Sequence, residues 1–333
     1  MPRALPFAAA TQVAESGDVR PRGVIFVALV LALACGGCGH GQKLAAWPPM
    51  SVVGSWSGPQ WRAIAAGLRP NADPHSPNLC TRGTPACMDA VVAEMTQRLD
   101  RLAASCDDLA PFALVYRQVS EEVRSSVRAR RYRDPAYVAH LDAVFATLYF
   151  RALDDWRLGR RDEVPRAWRI AFSAASSRRV SALGDLLLGM NAHISRDLPY
   201  ALAAVGLRLT DGHEAVPDVL AVNADIARAQ RPALAAVTRR FDPGVRAATR
   251  LGQTGDPRQI ARVIAAWRLE AVRNARRLLA ARTHVERLRV DTQIDANATL
   301  RALLIADATS YVSPKREAEA RHRYCLAARK SAS

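Results

Sequence analysis

The clearest chance at chemistry in this sequence is an imidazole and a carboxylate four residues apart, in the run Leu186-Leu187-Leu188-Gly189-Met190-Asn191-Ala192-His193-Ile194-Ser195-Arg196-Asp197-Leu198-Pro199-Tyr200. On a helix His193 and Asp197 share a face, one turn apart. A carboxylate placed there fixes the tautomer of an imidazole and raises its basicity, which suits a general base or a metal ligand. A structural ion pair or a satisfied core histidine uses the same spacing. The apolar stripe is Leu183, Leu187, Met190, Ile194 and Leu198. At about 100 degrees per residue, Asp197 falls about 50 degrees and His193 about 90 degrees from its centre, so both border the core. Pro199 removes one backbone hydrogen bond and predicts a kink just after Asp197.

Other candidates lie on neighbouring segments. Asp142, Tyr149 and Trp156 are spaced by seven along the edge of the stripe Leu141, Phe145, Leu148 and Ala152. Tyr149 and Trp156 suit a core with a polar tip, whereas a carboxylate bordering a core needs a partner. His140 points away from that stripe, toward solvent. Asp211, in Asp211-Gly212-His213-Glu214, suits a turn cap as well as a binding role. Two site readings follow. In one, Asn191, His193, Asp197, Asp142, Asp211 and Tyr149 supply a polar binding pocket, with His193 and Asp197 its catalytic candidates. In the other, His193, Asp197 and Asp142 hold a divalent metal ion that activates water for hydrolysis. A zinc site usually shows three protein ligands, and only one well-placed histidine is present. HExxH, GxSxG, GxxxxGK[ST] and GxGxxG are all absent, which leaves zincins, serine hydrolases and nucleotide-binding enzymes without support.

The elements that must position these residues read as helices. From Met88 onward, apolar positions recur at helical spacing, first as Val91, Met95, Leu99 and Leu102. The periodicity predicts helices over 88–104, 109–130, 135–159, 163–176, 179–206, 215–240, 257–282, 285–311 and 315–329. Asp134-Pro135, Asp256-Pro257 and Ser313-Pro314 each set a capping side chain before a proline at the first helical position. No run alternates as a strand would, and no repeat of 20 to 50 residues is present. The expected fold is a single irregular all-α bundle of eight or nine helices over 88–330. Residues 35–87, rich in glycine and proline, read as a tether with one short helix at Gln60 to Leu68.

Ahead of the tether, Arg20-Pro21-Arg22-Gly23 leads into the apolar run from Val24 to Ala34 and then Cys35-Gly36-Gly37-Cys38. A basic patch, a short apolar run and a small-residue exit are the parts of a secretory signal, here 1–34. The run falls well short of the roughly 20 residues that a bilayer span needs. Met1 to Asp18 have no role in such a signal, which points to a start at Val19. Ala32-Leu33-Ala34 places Cys35 first in the mature chain and resembles the bacterial lipoprotein signal, though that signal prefers leucine at the position of Ala32. The resemblance implies lipidation at Cys35 and a partner membrane, in the cell envelope facing the periplasm or exterior; simple secretion is the alternative. Four further cysteines suit an oxidising compartment and allow three pairings. Gly83 and Pro85 make a turn between Cys80 and Cys87, which favours Cys80 with Cys87 and Cys106 with Cys325.

Formal charge is +16, from 47 basic and 31 acidic residues. A basic balance can serve nucleic acid or an anionic membrane. Here the arginines are spread along nearly every helix without interleaved aromatics, so solvated faces are expected and nucleic acid is not.

Asp134-Pro135, the helix from His140 to Tyr149, Trp168 with Phe172, and Gly189-Met190-Asn191-Ala192-His193-Ile194-Ser195-Arg196-Asp197-Leu198-Pro199 together resemble an uncharacterised bacterial domain-of-unknown-function family (numbered 5995). The resemblance spans roughly residues 88 to 285. It implies a helical fold and that Asn191, His193 and Asp197 matter, and it brings no activity. The functional expectation is an exported, lipid-anchored accessory or binding protein with a polar pocket; the alternative is the metal-dependent hydrolase.

Overall fold

A computed structural model describes residues 59–246 and 257–331. Eleven α-helices are present among them: α1 (Pro59–Gly67), α2 (Pro85–Ala104), α3 (Ala110–Arg128), α4 (Pro135–Arg157), α5 (Arg166–Ser176), α6 (Ala182–Asn191), α7 (Leu198–Val205), α8 (Val216–Arg240), α9 (Pro257–Ala280), α10 (His284–Thr309) and α11 (Pro314–Lys330). The described residues hold no β-strand, only two isolated bridges, Val180 with Ser310 and Arg208 with Glu214. The all-α expectation holds, and nearly every predicted helix lies within a few residues of its place. None of these helices is long and apolar enough to cross a membrane. The signal run, the start at Val19 and Cys35 lie outside the described residues.

Local chemistry explains the helix starts. Asp134 accepts a hydrogen bond from the Tyr137 amide at 2.9 Å ahead of Pro135, and Thr283 with Glu286 forms a reciprocal capping box on α10. Ser313 occupies the cap position of α11, but its side chain makes no capping bond; instead its amide donates to Glu317 Oε2 at 2.7 Å. Asp256 lies outside the described residues.

The predicted helix 179–206 is interrupted. Between α6 and α7 the chain makes a π-helical turn over Ala192–Asp197, in which the Leu198 amide donates to the carbonyl of His193, five residues back. Pro199 supplies the reason: within a regular α-helix its ring would crowd the carbonyl four residues earlier, and the wider turn relieves that clash. All ten residues of α6 are buried, and α4, α5, α9 and α10 all pack against the π turn. Gly189 permits one close approach: a Cβ there would stand 2.5 Å from the Phe112 ring.

The packed body begins earlier than residue 88. Trp61 on α1 is buried and meets Phe150 of α4 edge-on, with ring centroids 5.5 Å apart. His140 corrects the expectation of exposure. Its relative accessibility is 0%, and its two ring nitrogens lie 2.8 Å from the Cys80 carbonyl and 2.7 Å from that of Pro70. Turned outward from the stripe of its own helix, it meets the 68–84 segment folded over α4 rather than water. Both predicted disulfides are formed, Cys80 with Cys87 and Cys106 with Cys325.

Candidate functional site

Side chains of α3, α4, α6, the π turn, α8 and α9 line a half-open cavity of about 100 Å³, with Val222, Ile226, Gln230 and Leu234 as the α8 row. Phe112, Tyr116, Val119 and Val123 come from one face of α3. From α4, Val138, Asp142 and Phe145 contribute; α6 and the π turn add Leu186, Met190 and His193. On α9, Ile260, Ile264 and Arg268 fall four residues apart, so an arginine ends an otherwise aliphatic row. The wall is mainly hydrocarbon, with His193, Tyr116, Asp142, Arg268 and Gln230 as its polar members.

His193 is held rigidly in this wall. Its ring stacks on Phe145, with centroids 3.5 Å apart and planes 6° from parallel, while the Tyr116 ring stands 4.5 Å away. Nδ1 lies 3.2 Å from Asp197 Oδ2. The same carboxylate accepts from the Trp168 indole at 2.7 Å and, on its other oxygen, from Arg196 at 3.0 Å. With a carboxylate as its neighbour, Nδ1 must carry the proton and donate it, leaving Nε2 as a lone pair. Burial lowers the pKa of His193 against the raising effect of Asp197, so the ring is neutral near pH 7. Nε2 is buried and has no hydrogen-bond partner among the described residues. Chemically, this is an oriented acceptor, or a base for any acidic proton brought into the cavity.

Three further atoms of the wall are similarly unanswered. Neither the Tyr116 hydroxyl nor Asp142 Oδ2 has a partner among the described residues, and Arg268 Nε shares that condition. Burial pushes the Asp142 carboxyl up to about 7 against the opposing pull of Arg268. Arg268, 4% exposed, is pushed down to about 10 by burial; a terminal nitrogen of its guanidinium donates to the Val219 carbonyl.

The expected site residues are only partly brought together. His193 and Asp142 line the cavity, and Asp197 stands behind His193. Asn191 does not enter the wall: its amide donates to the Ala298 carbonyl at 2.8 Å and ties α6 to α10. Tyr149 is buried among aromatic rings, edge-on to Phe112 with centroids 5.1 Å apart. Asp211 is about half exposed, accepts from the His213 amide at 3.0 Å and pairs with Arg133, which is the turn-capping role. The metal set is corrected. Among the described residues no group of three or more His, Cys, Asp and Glu gathers at ligating distance. Asp197 already serves three donors, so His193 Nε2 and Asp142 would be left to hold an ion by themselves. Sequence reasoning missed Phe112, Tyr116 and Arg268. A tyrosine inside the apolar row of α3 and an arginine continuing that of α9 were the available signals.

The neutral state of His193 predicts a pH dependence. In the unfolded chain a histidine takes up its proton near pH 6.5, whereas the folded protein resists doing so. Its contribution to stability is therefore complete above about pH 6.5 and is lost as pH falls, by up to about 1.4 kcal/mol per pH unit until the folded pKa is reached. Urea unfolding of wild type and His193→Phe from pH 8 to 5 isolates this term, because His140 and Asp142 titrate in both proteins. The variant should gain on wild type below pH 6.5; a difference flat with pH would contradict a buried neutral ring.

A family model described as "Family of unknown function (DUF5995)" matches residues 88–308, a span that contains every residue of the cavity wall named above. No curated protein and no solved structure matches the chain.

Proposed function

Since the chain belongs to this family of unknown function, DUF5995, we propose a role from the site itself: the protein binds a small, mainly apolar molecule inside the helical bundle. The observation that carries this reading is His193 Nε2, a buried acceptor without a partner among the described residues, set in the hydrocarbon wall of the central cavity. Leaving a buried polar atom unpaired costs about 1–3 kcal/mol, a cost that a ligand bringing the missing hydrogen bond removes. Apolar clefts and cavities with a few convergent polar groups are the usual form of small-molecule sites, and the volume of about 100 Å³ limits the guest here to about the size of a single ring.

The protein acts in this reading as a binding or accessory protein of the cell envelope, anchored by a lipid at Cys35. The two disulfides support an oxidising compartment, and the basic-apolar-small pattern ending at Cys35 supports export.

Thermal unfolding of the mature protein with toluene tests the binding claim. Toluene at ten times its dissociation constant should stabilise the fold by about 1.4 kcal/mol. The shift should vanish in Met190→Trp, where the larger side chain fills the cavity. No shift in wild type, or an equal shift in both proteins, would end this reading.

A further inference from the structure

We infer that the molecule this cavity accepts is uncharged and carries a hydroxyl group, which donates to His193 Nε2 and accepts from Arg268 Nε. This inference rests on the binding role proposed above and specifies its ligand.

Two opposite charges in the cavity wall do not touch. Asp142 and Arg268 both line the cavity, each is subject to the other's field, and neither hydrogen-bonds nor ion-pairs directly to the other. Asp142 Oδ2 and Arg268 Nε are both buried without a partner among the described residues. Above about pH 7, where the Asp142 carboxyl is ionised, the two opposite charges balance, and the buried His193 ring adds none. An anionic guest would bring an unbalanced charge into a poorly solvated space, and so would a cationic one. A neutral guest preserves the balance.

The unanswered hydrogen-bonding groups then select the guest's polar function. Two of them accept, His193 Nε2 and Asp142 Oδ2; two can donate, Arg268 Nε and the Tyr116 hydroxyl. An ether or ketone offers lone pairs but no proton, and would leave both acceptors unanswered. A hydroxyl has one proton and two lone pairs, so it satisfies one acceptor together with one or both donors. His193 Nε2 is the better-fixed acceptor, because the stack on Phe145 and the bond to Asp197 hold its ring in place. The remaining wall, including Val119, Leu186, Met190 and Ile264, is hydrocarbon and suits an apolar remainder.

Three single-ring probes separate the possibilities: phenol, toluene and benzoate, titrated calorimetrically into the intact mature protein at pH 8, where the Asp142 carboxyl is ionised. Wild type should bind phenol at least tenfold more tightly than toluene and at least a hundredfold more tightly than benzoate. His193→Phe should bring phenol affinity to within threefold of that for toluene. Asp142→Asn, nearly isosteric, removes the carboxylate of the cavity wall that opposes an anionic guest and should improve benzoate binding at least tenfold. Benzoate binding as tightly as phenol in wild type would overturn the inference while leaving the cavity a binding site, as would equal binding of phenol and toluene. If none of the three probes binds, the binding role itself fails.

Discussion

Replacing Cys106 and Cys325 by alanine should cost about 5 kcal/mol of stability, roughly twice the loss expected when Cys80 and Cys87 are replaced. The asymmetry follows from chain length. The first bond joins residues 219 apart and the second joins residues only 7 apart, so the first removes far more freedom from the unfolded chain. It also ties the end of α2 to α11, outside the span matched by the family. Both of its cysteines are buried, so alanine leaves no unpaired hydroxyl behind. Urea unfolding of the two double variants under identical conditions checks the ordering. Equal losses would show that the long bond does not act chiefly through the unfolded state.

A second large loss is expected at Arg98. Its guanidinium is fully buried, yet it is completely engaged: Nε donates to Glu94 at 2.7 Å, while Nη1 and Nη2 donate to the two oxygens of Asp154 at 2.7 and 3.0 Å. The Phe150 ring lies 4.5 Å beneath it. Arg98→Met removes the cation and strands two carboxylates in the interior between α2 and α4, at a cost of about 3–5 kcal/mol. The triple change Arg98→Met, Glu94→Leu and Asp154→Leu should recover most of that loss, because the penalty comes from uncompensated charge rather than from missing attraction. Denaturant midpoints of the single and triple variants decide the matter. A loss below about 1 kcal/mol in the single variant would mean that water reaches and solvates the pair.

Arg98 also illustrates how polar groups in this bundle divide into two kinds. The Arg98 cluster and the pair Arg321 with Asp185, 2.7 Å apart, have charges in direct contact, as structural groups should. Asp142 and Arg268 line one cavity without an ion pair between them. That difference, more than burial or charge alone, separates the candidate site from the rest of the core.

Helix positions, the choice of disulfide partners and the stacking of His193 on Asp197 were legible from the chain alone. Each depends on neighbours a few residues away: helical periodicity, a Gly-Pro turn between two cysteines, and one turn of helix between two side chains. Position relative to the helix's own apolar stripe was a poorer guide. His140 looked outward by that measure, and the 68–84 segment buries it; Asn191, which the family resemblance marked, is engaged by α10 rather than by the cavity. Which polar groups would remain unanswered was decided only by tertiary structure. Tyr116, Asp142, His193 and Arg268 sit on α3, α4, the π turn and α9. The covalent chain sets the direction of each side chain from its helix, but whether another helix brings a partner depends on packing between segments up to 152 residues apart.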